Sequence, residues 1–216
     1  MGTLLVVRHG QAEGNTVHRL VGHSDVPLDD LGRRQADQLA DRLETVGVTR
    51  IVSSDLSRAL DTVRPLAARV GVEPETDPRL REIDNGEWTG LLPSEVDARW
   101  PDLWQAYTAG SDVARPGGER WADVRVRVRS FLADLGTPEG TTVIATHGGP
   151  CLLFLEWTLG IEFSGNLFAG VVQAPDNASI TTILVPGPRL VGYNDVGHLG
   201  EAVPDTTPPY EPVTGG

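Results

Sequence analysis

At 216 residues, with 39% hydrophobic and 22% charged residues, the chain has the size and composition of one globular α/β domain, and none of its apolar runs approaches the ~20 residues that cross a bilayer. A formal net charge of −12 argues against partners held by a basic surface, nucleic acid and anionic membranes alike, because such binding depends on neutralising phosphates with cations. All eighteen basic residues are arginine, which excludes a Walker phosphate loop, a kinase lysine and a pyridoxal Schiff base.

Short β-branched runs alternate with helical periodicity, so the expected fold is α/β: a three-layer α/β/α sandwich with a mostly parallel central sheet. Residues 3–7 read as the first buried strand. They are too short, and lack the preceding basic segment, for a signal peptide, so a cytoplasmic protein is expected. Leu31, Gln35, Leu39, Leu43 and Val46 then recur at helical spacing, with Asp29 as N-cap and Gly47 as terminator. Residues 50–53 form a second strand. Asp55 is expected to cap a helix carrying Leu56, Ala59, Val63, Leu66 and Val70, which ends at Gly71 and holds Pro65 inside it.

Residues 79–120, rich in Gly, Pro and Trp, read as loops and short helices over an opening. Trp88, Trp100, Trp104 and Trp121 either line a ligand or pack beneath that cover. The Val-Arg alternation from Val124 to Arg129 looks like a strand, yet Trp121, Val124, Val128, Phe131 and Leu135 continue a helical stripe. A helix is therefore predicted, with Arg125, Arg127 and Arg129 on a solvated face. Residues 141–146 are another strand, followed by His147-Gly148-Gly149-Pro150 and an apolar helix to Gly160. Residues 180–185 and 189–194 form a closing hairpin. The domain is expected to span 1–200, with 201–216 a Pro-rich tail lacking a core of its own. Cys151 reads as a core residue, and Asn177-Ala178-Ser179 as an accidental glycosylation match.

The chemistry gathers at strand ends. "LLVVRHG" and "TVIATHGG" both finish an aliphatic strand on a histidine and a glycine. In open α/β sheets the ligand crevice lies beyond the carboxyl ends of the strands. That rule collects Arg8, His9, Arg58, Glu82 and His147 in one place. Arginine forks match phosphate oxygens, glycines admit the backbone, neutral imidazole is a nucleophile, and a carboxylic acid can protonate a departing alkoxide. The set suits a phosphate monoester of a small metabolite.

The fragments "RHGQAEGN", "SSDLSRALDT", "LREIDNGEWTG" and "THGG", in that order, resemble the histidine phosphatase superfamily and its phosphoglycerate mutase-like fold over roughly residues 4–199. The resemblance implies a phosphohistidine on His9. It implies phosphoryl oxygens held by Arg8, Asn15, Arg58 and His147, with Gly148 and Gly22 lining the substrate site, and Glu82 as acid and then base. It implies no metal and no cofactor. His23 projects toward the expected leaving group; with His18 and Asp25 it belongs to a polar loop and not to a metal site. Gln11 and Ala12 depart from the glutamate and the Thr or Ser that are common in the family. Asp84 and Glu87 lie close to Glu82 but fit the acid position less well, and Arg81 is expected at the surface.

The expected activity is that of a phosphatase. A cofactor-dependent phosphoglycerate mutase is the alternative within the fold, disfavoured by the short region after "REIDNGEWTGL". A non-catalytic phospho-ligand module is the alternative outside it. A homodimer is compatible with the sequence.

Overall fold

The computed structural model describes residues 1–13, 19–170 and 172–200; Asn15, His18 and the tail 201–216 lie outside them. Six strands, β1 (Gly2–Arg8), β2 (Val48–Ser53), β3 (Glu75–Thr76), β4 (Gly140–Thr146), β5 (Ile180–Val185) and β6 (Arg189–Asp195), form one sheet in the order β3-β2-β4-β1-β5-β6. The pairings β3-β2, β2-β4 and β4-β1 are parallel, and the closing hairpin β5-β6 adds antiparallel to β1.

Successive residues of a strand face opposite sides of the sheet, and the core divides accordingly. Leu4 and Val6 join Val52, Ile144 and Ile183 beneath α5 (Trp121–Leu135) and α6 (Gly148–Leu159). Leu5 and Val7 join Ile51, Val143 and Ala145 beneath α1 (Asp30–Leu43) and α2 (Ser57–Val70). Helices thus cover both faces of a mostly parallel sheet, as the alternating pattern predicts. None among the described residues is long and apolar enough to cross a membrane. Between α2 and α5 lie α3 (Pro93–Arg99) and α4 (Pro101–Thr108). Their small core buries Trp88, Val96 and Tyr107, with Trp100 and Trp104 packed against it, whereas Trp121 belongs to the main core.

Asp29 caps α1 by accepting from the Gly32 amide. The cap expected at Asp55 is not formed: α2 begins after Leu56 without a side-chain cap of its own. Asp55 instead binds both arms of the Arg81 guanidinium, a charged partner that outcompetes a local amide. The carboxylate at the end of α2 comes from Asp25 of the preceding loop, whose Oδ1 accepts from the Ser57 amide at 2.7 Å.

Of the solvated face expected for Arg125, Arg127 and Arg129, only Arg129 is exposed, at 56%, and the expectation is corrected for the other two. Arg125 and Arg127 are only 11% and 16% exposed, while Val126 is 71% exposed. Residues two apart on a helix point about 200° apart, so an alternating run cannot share one face. Arg125 and Arg129, four apart, both reach the buried Glu156; Arg127 points the other way, toward residues 79–82.

Because the borrowed cap fixes the first turn of α2, Asp25→Ala should destabilise the protein by about 1 kcal/mol. Urea denaturation checks this, and an unchanged midpoint would contradict it.

Candidate active site

β1 and β4 pair in register with Arg8 opposite Thr146, so the next residues, His9 and His147, emerge side by side. Their ring centroids are 5.1 Å apart at 60°, and the His9 amide donates to the Thr146 carbonyl at 2.9 Å. His9 Nδ1 lies 2.7 Å from the Gly10 carbonyl oxygen. A carbonyl only accepts, so Nδ1 carries the proton and Nε2 of the neutral ring keeps a free lone pair. Burial, then the charges of Arg58 and Arg8, hold the His9 pKa well below that of free imidazole, against a smaller opposing effect of the Gly10 carbonyl.

His147 is fully buried and likewise held well below its ordinary value by burial, Arg58 and His9. Its Nε2 is 2.9 Å from the Ser54 hydroxyl, and its Nδ1 has no partner among the described residues.

The cations come from separate elements. Arg8 ends β1 and donates to the Pro175 carbonyl at 2.6 Å, leaving its buried Nε without a partner. Arg58, in the first turn of α2, is 2% exposed and donates to the carbonyls of Ser24 and Gly22, each at 2.8 Å. Its pKa is drawn down to about 10, chiefly by burial, so it stays charged at neutral pH. Gly22 serves through its main chain: it holds φ +52, and a Cβ there would sit 2.9 Å from the Asn85 nitrogen.

Glu82 is fixed at the start of α6. Its Oε1 accepts from the Ile83 amide at 2.9 Å and its Oε2 from the Gly149 amide at 3.2 Å. Both Arg8 and Arg58 feel its charge. Gly148 opens the same helix, and a Cβ on it would lie 3.7 Å from Arg8 Cζ. At Gly149 a Cβ would come within 2.5 Å of Glu82 Oε1 and closer still to the Trp121 ring, which leaves glycine the only fit. The expected constellation of Arg8, His9, Arg58, Glu82, His147 and Gly148 is thus brought together.

His23 faces the acid segment: its Nε2 is 2.8 Å from the Glu82 carbonyl oxygen and its Nδ1 is 3.7 Å from Asp84 Oδ2. Asn15 lies outside the described residues. Gln11 Nε2 donates to Asp29 at 2.9 Å, and Ala12 is buried in a bridge with Leu28. Asp25 serves α2 and His18 lies outside the described residues; among the described residues no group of three or more His, Cys, Asp or Glu could hold a metal ion. Burial pushes the Cys151 thiol upward, away from thiolate chemistry.

Three supporting residues escaped the sequence reading. Ser54 follows β2 just as the histidines follow their strands, so the strand-end rule should have collected it. Thr62, one turn after Arg58, accepts from the Gly10 amide at 2.8 Å and donates to the Arg58 carbonyl at 2.7 Å. Asn177 donates to the His9 carbonyl at 2.8 Å. No sequence signal marks it, and its burial at 6% exposure agrees with an accidental glycosylation match.

Two arginines, two neutral imidazoles, a helix N-terminus and one carboxyl make a centre for an oxyanion whose ester bond is to be broken. The model of the histidine phosphatase superfamily (branch 1) matches residues 4–195. The chain belongs to that superfamily. A glucosyl-3-phosphoglycerate phosphatase of Mycobacterium tuberculosis is 37% identical over 156 residues, 68% of this chain and 70% of that one. A probable phosphoglycerate mutase of Enterobacter is 39% identical over 149 residues, 66% and 68% of the two chains. A structure of mycobacterial glucosyl-3-phosphoglycerate phosphatase with VO3 superposes with a TM-score of 0.79 at 33% identity, covering 90% of this chain and 99% of that one.

The two depressed histidines set the sign of a pH effect. Unfolded rings take up protons below about pH 6.5, which the folded rings refuse, so their contribution is complete above that pH and is lost as pH falls toward their folded pKa values. His147→Gln should therefore flatten the decline in urea stability between pH 7 and pH 5, by up to about 1.4 kcal/mol per pH unit. Parallel pH profiles for variant and wild type would contradict this.

Proposed function

We propose that this phosphatase of the histidine phosphatase superfamily hydrolyses its small phosphorylated metabolite through a phosphohistidine on His9, without a metal or a cofactor. The observation that carries the reading is the His9 ring, with Nδ1 committed to the Gly10 carbonyl and Nε2 left free beside the charges of Arg58 and Arg8.

In the first step Nε2 bonds to phosphorus and the ester P–O bond breaks. The Glu82 carboxyl gives its proton to the departing alkoxide. Arg8, Arg58, His147 and the first amides of α6 take up the charge on the non-bridging oxygens, with Asn15 assigned to the same task by family resemblance. In the second step the Glu82 carboxylate accepts a proton from water as that water attacks phosphorus. The P–N bond breaks, and His9 and inorganic phosphate are released.

Gly22 to Asp25 are proposed to border the side on which the leaving group departs, with His23 as its contact. All these residues come from one chain, so a monomer and a homodimer would work equally, and we place the enzyme in the cytoplasm with phosphorylated metabolites. Glucosyl-3-phosphoglycerate, named for the mycobacterial relative, is the first substrate to test.

The name of the Enterobacter relative favours a second reading, return of the phosphoryl group to a phosphoglycerate. Incubation of 3-phosphoglycerate with a bisphosphate primer separates the two: hydrolysis releases phosphate, and fast isomerisation without phosphate release would replace the phosphatase reading with the mutase one. A mere phospho-ligand module would release none and turn over no ester.

His9→Ala should release no phosphate from any ester. Glu82→Gln should slow the cleavage of alkyl phosphates by ~10²–10⁴. It should spare the first turnover of 2,4-dinitrophenyl phosphate, whose leaving group needs no proton. Equal losses on both esters would remove Glu82 from the acid role.

A further inference from the structure

Residues 81–85, which carry Glu82, have no helix or strand of their own, so no backbone ladder fixes the acid. Side chains from other elements do: His23 Nε2 lies 2.8 Å from the Glu82 carbonyl oxygen, and one residue of α5 reaches three carbonyls of residues 79–82. Arg127 Nε and one terminal nitrogen hold the two oxygens of Glu119 at 2.9 and 3.0 Å. That second nitrogen also donates to the Glu82 carbonyl at 2.8 Å. The remaining nitrogen donates to the carbonyls of Arg79 at 2.7 Å and Arg81 at 2.6 Å. A guanidinium has five N–H groups, and these contacts use all five.

Glu119 completes the clamp on the far side. Its Oε2 accepts from the Asp84 amide at 2.9 Å, and its own amide donates to the Asp84 carbonyl at 2.9 Å. The chain is therefore gripped both before and after Glu82.

We propose that Arg127, with Glu119, is a positioning residue that holds the Glu82 carboxyl at the place where it protonates the leaving group. The proposal rests on the proton-donor role of Glu82 argued above. A guanidinium is needed because lysine offers three donors from one nitrogen and cannot bridge Glu119 and three carbonyls in one plane. The clamp matters for rate because a displacement of about 1 Å in a proton donor can cost on the order of a hundredfold. Its effect should be confined to substrates that need the proton. Arg125 provides the comparison: it is similarly buried on the same helix, but binds Glu156 and the Phe163 carbonyl instead.

The test compares an alkyl phosphate with the first turnover of 2,4-dinitrophenyl phosphate in Arg127→Lys, Arg127→Met, Arg125→Met and Glu82→Gln. Arg127→Met should lower kcat on the alkyl ester on the order of ten- to a hundredfold, leave dinitrophenolate release within about twofold, and leave KM nearly unchanged. Arg127→Lys should fall between it and wild type, and Arg125→Met should affect both esters alike. In a Glu82→Gln background, Arg127→Met should add no further selective loss.

If Glu82→Gln separates the two esters and the Arg127 variants do not, the positioning role is wrong and the acid assignment stands. If Glu82→Gln itself slows both equally, the acid assignment has failed. Should Arg127→Met not fold, Arg127→Lys and Glu119→Gln carry the same comparison, and equal losses on both esters in those variants would overturn the proposal.

Discussion

The parallel pairing of β1 with β4 is the constraint on which the rest of the site depends. With Arg8 opposite Thr146, both strands run out at the same level, and the residues that follow them become neighbours although 138 positions separate them. Side chains alternate between the faces of a sheet, so a slip of one residue would turn one histidine away from the other. The register is protected because Leu4 and Val6 are committed to one core and Leu5 and Val7 to the other, so slipping would drive each set into a core packed for the other. The hydrophobic pattern of four residues thus fixes the position of a nucleophile.

Around that pair the protein concentrates positive charge in a chain that is acidic overall. Burying arginine is costly unless its donors are met, and here the partners are main-chain carbonyls more than carboxylates, Pro175 for Arg8 and Ser24 and Gly22 for Arg58, with Arg8 Nε left unpaired. Carbonyls satisfy the hydrogen bonds without cancelling the charge, which leaves the guanidinium field available to an incoming phosphate. Burial, reinforced by the same field, keeps both imidazoles neutral. One arrangement therefore serves the nucleophile and the oxyanion together. Glycine at 149 lets Glu82 and the Trp121 ring approach the start of α6, adding main-chain donors to the centre.

Much of this was legible in the sequence because strands announce themselves by apolar runs, and functional residues in such sheets sit just past their ends. His9, His147, Arg8 and Glu82 could be found by that rule, and the two faces of the sandwich by periodicity. Polar side chains with a choice of partner were harder. Asp55 has the residue type and the position of an N-cap, but Arg81 from a distant segment offers it more, and Asp25 takes the vacated place. Arg127 has the look of a surface cation, because nothing local reveals that three carbonyls and a carboxylate converge on it. Thr62 and Asn177 contribute one or two bonds each to main-chain atoms, a role available to any polar residue and therefore silent in a single sequence.

Catalysis turns on which atom receives the phosphoryl group. Rapid quenching of wild-type enzyme with a labelled phosphate ester, followed by peptide mapping of an acid-labile, base-stable adduct, measures this directly. Label on the peptide containing His9, formed and lost at rates that match turnover, is the predicted result. Label on another residue, or single-turnover release of phosphate with no covalent adduct at any time, would contradict it.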